Sequence, residues 1–521
     1  MFQFRAFIFR PVLWSTRSEA FASYRPRPYN DNKSFSRNKY DSLSDEEIYD
    51  EEMEKSEGFA HERKVVKDVY KESLTTSTRT DEEIKTFMKK HNITVNGNLL
   101  KPVLTINEIE VFPKPVLKEF TEKRITAPTP IQSVCWPMVM SGTDLIGIAQ
   151  TGSGKTLGYL LPSALHIKAQ PESNLKGPTS LVLAPTRELV QQIAKVAEEW
   201  LSFHFGIRNV CVYGGSDKHF QIRGLRLGSE LCIATPGRLI DLLKNRVTTL
   251  ANTSMLVLDE ADRMLDMGFE PQIREIVERM REDRQTLMFS ATWPADVRML
   301  ASDFMERDSP RINIGSTELC ANENIKQEVR VIPENRKRAM LLDIVHSRPT
   351  HKILIFAGTK RTVSSIAREL LQSGIRCVES HGDLSQAKRE RSLQHFKGTT
   401  NVMVATDVAA RGLDVQNISL VINVDFPQTV EDYIHRIGRT GRSGSKGEAI
   451  TFFTEADAPF AKGLISVLAQ ADQEIPAHLR DIANRASKHN TGFRNREYRP
   501  HAPKFSRLSR SSNWRHAARS K

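Results

Sequence analysis

Cysteine is scarce in this sequence, with five in 521 residues (Cys135, Cys211, Cys232, Cys320 and Cys377). Their number is odd, their positions are scattered and no pair has CxxC spacing. That excludes a disulfide framework and a structural zinc site, and predicts buried thiols in a reducing compartment. Long apolar runs are missing too. No stretch approaches the ~20 residues a membrane helix requires, which excludes a helical integral membrane protein. Acidic residues are rare at both ends: the first is Glu19, and the last 37 residues hold one acid against eleven Arg or Lys.

Elsewhere the chain has ordinary globular composition, 39% hydrophobic and 26% charged, with a formal net charge of +12. The charge is uneven. Residues 1–40 carry eight basic and two acidic side chains, residues 41–60 nine acidic and one basic. The long middle is close to balance, so net charge hints at a polyanionic partner for the ends rather than for the whole. The middle alternates short apolar runs (144–149, 180–185, 254–259, 285–290) with amphipathic stretches, and the pattern recurs at 352–357, 401–406, 420–425 and 448–453. Such runs suit parallel strands buried on both faces with helical crossovers. The predicted fold is α/β, two tandem parallel-sheet lobes with disordered tails. The expected boundaries are an extension at 1–90, lobe 1 at 91–315, a linker at 316–324, lobe 2 at 325–475 and a basic, aromatic tail at 476–521.

The first chemical signal is AQTGSGKT (Ala149, Gln150, Thr151, Gly152, Ser153, Gly154, Lys155, Thr156), between a strand and a helix. Its glycines let backbone N–H groups face phosphate oxygens, and the helix start adds positive dipole. Lys155 can reach the β- and γ-phosphates, and the Thr156 hydroxyl can ligate Mg²⁺. The second is VLDEADRMLDMGF at 257–269. Asp259, at a strand's C-terminal end, can hold Mg²⁺, and Glu260 can activate water as a general base. An acidic cap on the next helix is the plainer reading of these letters alone.

With these motifs in place the chain resembles the DEAD-box ATP-dependent RNA helicases over about residues 105–470. The spelled-out motif is Asp259, Glu260, Ala261, Asp262. The resemblance implies two RecA-like lobes and the cofactors ATP and Mg²⁺. Upstream, Phe112 and PTPIQ (128–132) match the adenine-reading element; the two-faced amide of Gln132 can meet both donor and acceptor edges of adenine, and Ile125 stands where the family usually has a stacking aromatic. Ser290 and Thr292 of SAT are implied to relay hydrolysis through bonds to the DEAD carboxylates. In HRIGRTGR (435–442) three arginines spaced by three could aim at one anion, and the resemblance makes Arg439 and Arg442 the fingers on the γ-phosphate. Asp414 is implied near the ribose.

RNA contacts are implied at Pro185, Thr186 and Arg187, at Gly214 and Gly215, at Thr235, Pro236, Gly237 and Arg238, and at Thr359, Arg389 and Thr406. Their small chemistry suits a sugar–phosphate backbone read without sequence preference. ATP and RNA would each bridge the lobes, and closure would bend one strand and open a few base pairs. The segment 91–103 resembles the subgroup acting in mRNA processing, mRNA decay and ribosome assembly, which implies ribonucleoprotein partners, a monomeric core without membrane contact, and a nuclear, nucleolar and cytoplasmic setting. An arginine-bearing, acid-poor N-terminus also fits a mitochondrial transit peptide. The C-terminal arginines interleave with Phe493, Tyr498, Phe505 and Trp514, an arrangement that grips unpaired bases or merely solubilises. The rival to an unwinding enzyme is an ATP-gated RNA clamp.

Overall fold

The computed structural model describes residues 64–490 apart from 151, 172–175, 316–323, 411–414, 416 and 442–444, all within one compact unit. Its first sheet has eight strands. In chain order they are β1 (Ile93–Asn96), β2 (Leu145–Ile148), β3 (Ser180–Leu183), β4 (Asn209–Val212), β5 (Leu231–Ala234), β6 (Met255–Asp259), β7 (Gln285–Ser290) and β8 (Arg311–Ile314). They lie side by side as β1-β8-β2-β7-β6-β3-β5-β4, with only β1 antiparallel to its neighbour. The second sheet holds β9 (Ile325–Val331), β10 (Ile353–Phe356), β11 (Cys377–Ser380), β12 (Val402–Ala405), β13 (Leu420–Asn423) and β14 (Gly447–Phe453). Its order is β11-β12-β10-β13-β14-β9, parallel throughout.

The central strands are apolar on both faces because helices cover both; β2, β3, β5, β6, β7, β10, β12 and β13 are buried along their whole length. Each sheet therefore separates two apolar clusters, one per face. Edge strands such as β4 and β11 bury only part of their side chains, and their mixed sequences hid them from a search for apolar runs.

Two boundaries need correction. Residues 64–90, expected to be structureless, include the helices Leu74–Ser77 and Asp81–Lys90. The second starts with a capping box in which Thr80 Oγ1 accepts from Glu83 N and Glu83 Oε2 accepts from Thr80 N. At the other end the expected tail begins with a helix, Ala477–Asn490, that buries Leu479, Ile482 and Ala483 against lobe 2. In both places the apolar residues are too few to stand out in sequence; Phe87 and Met88 pack half-buried on lobe 1, and Leu479, Ile482 and Ala483 are buried on lobe 2. Residues 1–63 and 491–521, with the transit-peptide and aromatic-tail expectations, lie outside the described residues.

Candidate active site and RNA interface

Three neighbouring strands, β2, β7 and β6, end together and deliver the chemistry. The phosphate loop follows β2, Ser290 ends β7 and Asp259 ends β6. Ala149 N donates to Ser290 O at 3.1 Å, tying the loop's start to its neighbour. Gly152 and Gly154 both have positive φ, 86° and 95°. At Gly154 an added Cβ would also sit 2.6 Å from Thr129 Oγ1 and 2.7 Å from Gln132 Nε2, so a side chain is excluded twice. The helix Lys155–Ala169 starts here, and buried Lys155 folds back to donate from Nζ to Ala149 O at 2.7 Å. Gln150 is exposed at the loop, Thr156 is half-buried in the first helical turn, and Ser153 N donates to Gln150 O at 3.3 Å. Thr151 lies outside the described residues.

Asp259 is 3% exposed. Its Oδ2 accepts from Tyr159 OH at 2.9 Å, whereas Oδ1 is buried without a hydrogen-bond partner. An orphaned carboxylate oxygen beside the Thr156 helix start is what a hard cation bound by oxygen would satisfy, so these residues fit Mg²⁺. Glu260 adopts left-handed backbone, φ 55° and ψ 53°, rare for a residue with a side chain and of a kind that clusters at functional sites. Burial pushes its carboxyl pKa up, Arg439 from lobe 2 pulls it down, and Asp259 adds to the rise. Burial likewise raises Asp259, against the pull of Lys155.

The SAT segment meets the last carboxylate of the motif. Thr292 Oγ1 and N both donate to Asp262 Oδ2, at 2.8 and 3.0 Å, and Ala291 N adds a third bond at 3.2 Å. Ser290 Oγ accepts from Asp262 N at 3.4 Å. The bonds expected between this segment and the DEAD carboxylates thus go to Asp262, which sequence order alone did not single out.

The adenine-reading element departs from expectation. Phe112 is a core side chain, 3% exposed, with its ring 5.3 Å from Trp136 and 6.5 Å from Phe120. It braces the element from behind and presents no ring to a base. Ile125 is half-buried and packs on the same cluster. The Gln132 amide accepts from Thr129 N at 3.0 Å and donates to Gly154 O at 2.9 Å, so here it joins the element to the phosphate loop.

In lobe 2 the three arginines divide. Arg439, 6% exposed, acts on Glu260. Arg436 is turned into its own lobe, away from the Glu260 side of the cleft. It makes a two-pronged pair with Asp407 (2.5 and 2.6 Å), donates to Asp425 O at 2.6 Å and lies over the Phe356 ring. Its donors are satisfied inside the lobe, where it pins its helix to the ends of β10 and β13. Arg442 and Asp414 lie outside the described residues.

The expected RNA segments converge, but several side chains serve the lobes themselves. Thr186, Thr235 and Thr359 precede helices, and the Thr186 and Thr359 hydroxyls cap theirs by accepting from Leu189 N (3.2 Å) and Thr362 N (3.1 Å). Pro185 is buried, Pro236 opens its helix, Gly237 has open space around its Cα, and Thr406 N donates to Ser380 O at 3.2 Å. Gly215 (φ 80°) passes so close to Arg187 that a Cβ would lie 2.1 Å from Nη1, and Gly214 lies along the same guanidinium. Arg238 donates to Gln221 Oε1 at 3.2 Å. Arg389, expected to meet a phosphate, is 11% exposed and pairs with Glu188 of lobe 1 at 3.3 Å. Arg187 reaches the other way, to Gln386 Oε1 at 3.4 Å, and Gln191 Nε2 donates to Glu390 at 3.1 Å.

A residue the motifs had not marked completes the lobe contact. Arg263, directly after the DEAD letters, is 5% exposed and pairs with Asp432 of lobe 2, while also meeting Asp266 Oδ2 at 2.8 Å. The available signal was an arginine next to one motif and an acid just before another. Because breaking a buried pair strands a charge, Arg263→Ala is expected to weaken the mutual enhancement of ATP and RNA binding by about 5- to 150-fold. RNA titrations with and without a non-hydrolysable ATP analogue measure it.

Two family models match the chain, DEAD/DEAH box helicase over residues 129–300 and helicase conserved C-terminal domain over 336–444. The chain is 52% identical over 432 residues to the ATP-dependent RNA helicase DBP2 of Chaetomium thermophilum, covering 81% of this chain and 76% of that one. It is 48% identical to the DEAD-box ATP-dependent RNA helicase 30 of Arabidopsis thaliana, covering 79% of this chain and 70% of that one. Among solved structures, S. cerevisiae Dbp5 bound to RNA and ADP BeF3 superposes with a TM-score of 0.63 at 27% identity, covering 74% of this chain and 99% of that one. With its phosphate loop, DEAD carboxylates and lobe-2 arginine gathered at one cleft, the chain belongs to the DEAD-box family of ATP-dependent RNA helicases.

Proposed function

We propose that this helicase opens short RNA duplexes and remodels RNA–protein complexes locally, with ATP hydrolysis timed by lobe closure, in rRNA processing, mRNA processing or mRNA decay. The observation that carries the reading is that Glu260 of lobe 1 and Arg439 of lobe 2 are both buried and that the arginine's charge pulls the Glu260 carboxyl down against burial. The phosphate loop holds the triphosphate, and Asp259 with Thr156 would hold Mg²⁺, which supplies charge neutralisation across the β- and γ-phosphates. Glu260 takes a proton from the attacking water, and Arg439 offsets charge that develops as the γ-phosphoryl leaves. Asp262, bonded to Thr292 and Ser290, carries the change in the nucleotide site to the segment after β7. RNA lies along the loops bearing Arg187, Arg238 and Thr359 and exchanges for the contact that Arg187 now makes with Gln386.

The deciding experiment is release of a short RNA duplex. ATP-dependent release with RNA-stimulated ATPase supports the reading, whereas RNA held tightly in ATP without release favours the clamp, for which the interlobe pairs Arg263–Asp432 and Arg389–Glu188 are the structural argument. We assign the molecule to nucleus, nucleolus and cytoplasm, with ribonucleoprotein partners and a monomeric core; imaging of the tagged full-length chain tests the location, and exclusive mitochondrial signal overturns it. Residues 485–521 are proposed as an auxiliary RNA grip on account of their eleven basic side chains. Ending the chain near Ala486 should lower RNA affinity and flatten its salt dependence; unchanged values remove the tail from the RNA site.

A further inference from the structure

The adenine-reading segment is held at both ends by residues that precede it. Val103 N donates to Ser133 O at 3.0 Å, and Ile106 N donates to Thr126 O at 3.2 Å. Between those two carbonyls stands Gln132, whose Nε2 donates onward to Gly154 O of the phosphate loop. The bridge 102–108 is therefore the frame on which the segment hangs.

A cluster from farther upstream fixes that frame. Arg79 Nη1 donates to Pro102 O at 2.6 Å and Nη2 to Glu108 Oε1 at 3.0 Å. Thr76 Oγ1 donates to Glu108 Oε2 at 3.1 Å. Glu108 also accepts from Leu104 N and Thr105 N, each at 3.1 Å. Arg79 is 9%, Glu108 5% and Thr76 0% exposed. A carboxylate that holds a guanidinium, a hydroxyl and two backbone N–H groups away from water admits one backbone path for 102–108. An extension docked only for stability would do so with apolar area, and needs no buried ion pair placed on the element beside the base.

We propose that Arg79, Glu108 and Thr76 are positioning residues for adenine selection: they set the path of 102–108, and through Val103 and Ile106 the placement of Gln132 against the nucleotide. This rests on the ATP-helicase reading above. None of the three lies in the phosphate loop or among the DEAD carboxylates, and their bonds go to 102–108, so their effect falls on recognition of the base rather than on the hydrolysis step.

The test uses the full chain and compares RNA-stimulated hydrolysis of ATP and GTP in wild type, Arg79→Met and the milder Thr76→Val, with melting temperatures alongside. The KM for ATP should rise about 2- to 12-fold in Thr76→Val, the worth of one hydrogen bond, and about 5- to 100-fold in Arg79→Met, where misplacement adds to it. The kcat for ATP and the KM for GTP stay within about twofold of wild type, so the preference for ATP over GTP falls by the same factor as the KM rises. An unchanged ATP-to-GTP preference in Thr76→Val, with a lowered melting temperature or without, overturns the proposal and leaves the helicase reading intact. A wild-type protein without RNA-stimulated ATPase overturns that reading, and this proposal with it.

Discussion

Arg439→Ala is expected to lower RNA-stimulated ATP hydrolysis by about 10³- to 10⁵-fold, the range for arginines that stabilise charge on a departing phosphoryl group. The size follows from placement. Arg439 is 6% exposed, and its charge is the strongest influence pulling the Glu260 carboxyl down against the rise that burial causes. In a site closed to water such a charge acts at low dielectric, where it is worth far more than on the surface. Its loss removes transition-state stabilisation and also favours protonation of the carboxylate that must accept a proton. Nucleotide affinity should change little, because the phosphate loop of lobe 1 supplies most of the binding. Arg439→Lys keeps the charge without the planar fork and should fall between. Steady-state phosphate release, with nucleotide affinity measured separately, decides the matter; an Arg439→Ala rate within tenfold of wild type rejects the assignment.

Glu260→Gln is expected to slow hydrolysis by about 10²- to 10⁴-fold, the usual worth of a general base, while preserving closure. The amide matches the carboxylate in shape, tolerates the same left-handed backbone no worse, and removes a buried negative charge, so the melting temperature should not drop. Closure depends on contacts the substitution leaves alone, Arg263 with Asp432 and Arg389 with Glu188 among them. RNA bound in the presence of ATP should then dissociate more slowly than from wild type, because the reset that hydrolysis provides is blocked. Equal ATPase rates in Glu260→Gln and wild type would sink the assignment of Glu260 as base. The two variants separate the roles: each stops turnover, but only Glu260→Gln leaves the buried lobe-2 cation in place to hold the closed form.

Much of this was legible because it depends on local chemistry. The strands after which the loop, the DEAD letters and SAT appear are continuous apolar runs, and β2, β6, β7, β10, β12 and β13 each lie within the stretches marked by pattern alone. A phosphate loop is a glycine-rich turn opening a helix, so its residues are adjacent in sequence as well as in space. Edge strands were not legible, since β4 and β11 are buried on part of their surface and carry mixed side chains. Nor were the helices at 74–90 and 477–490, whose few apolar residues matter only against a surface built elsewhere.

The two α/β lobes and the use of a nucleoside triphosphate could be read from the chain alone, because buried strands are continuous apolar runs and a phosphate loop is local in sequence. Tertiary structure alone decided what each charged or aromatic group meets. Phe112 went to the core because Phe120 and Trp136 enclose it, and Arg436 went to Asp407 while the charge of Arg439, three residues on, acts on Glu260. Arg263 found Asp432 across 169 residues, and Arg79 found Glu108 across 29. Partners that far apart leave no period or spacing to read. A buried charge must be paired, but only packing fixes which opposite charge lies within reach.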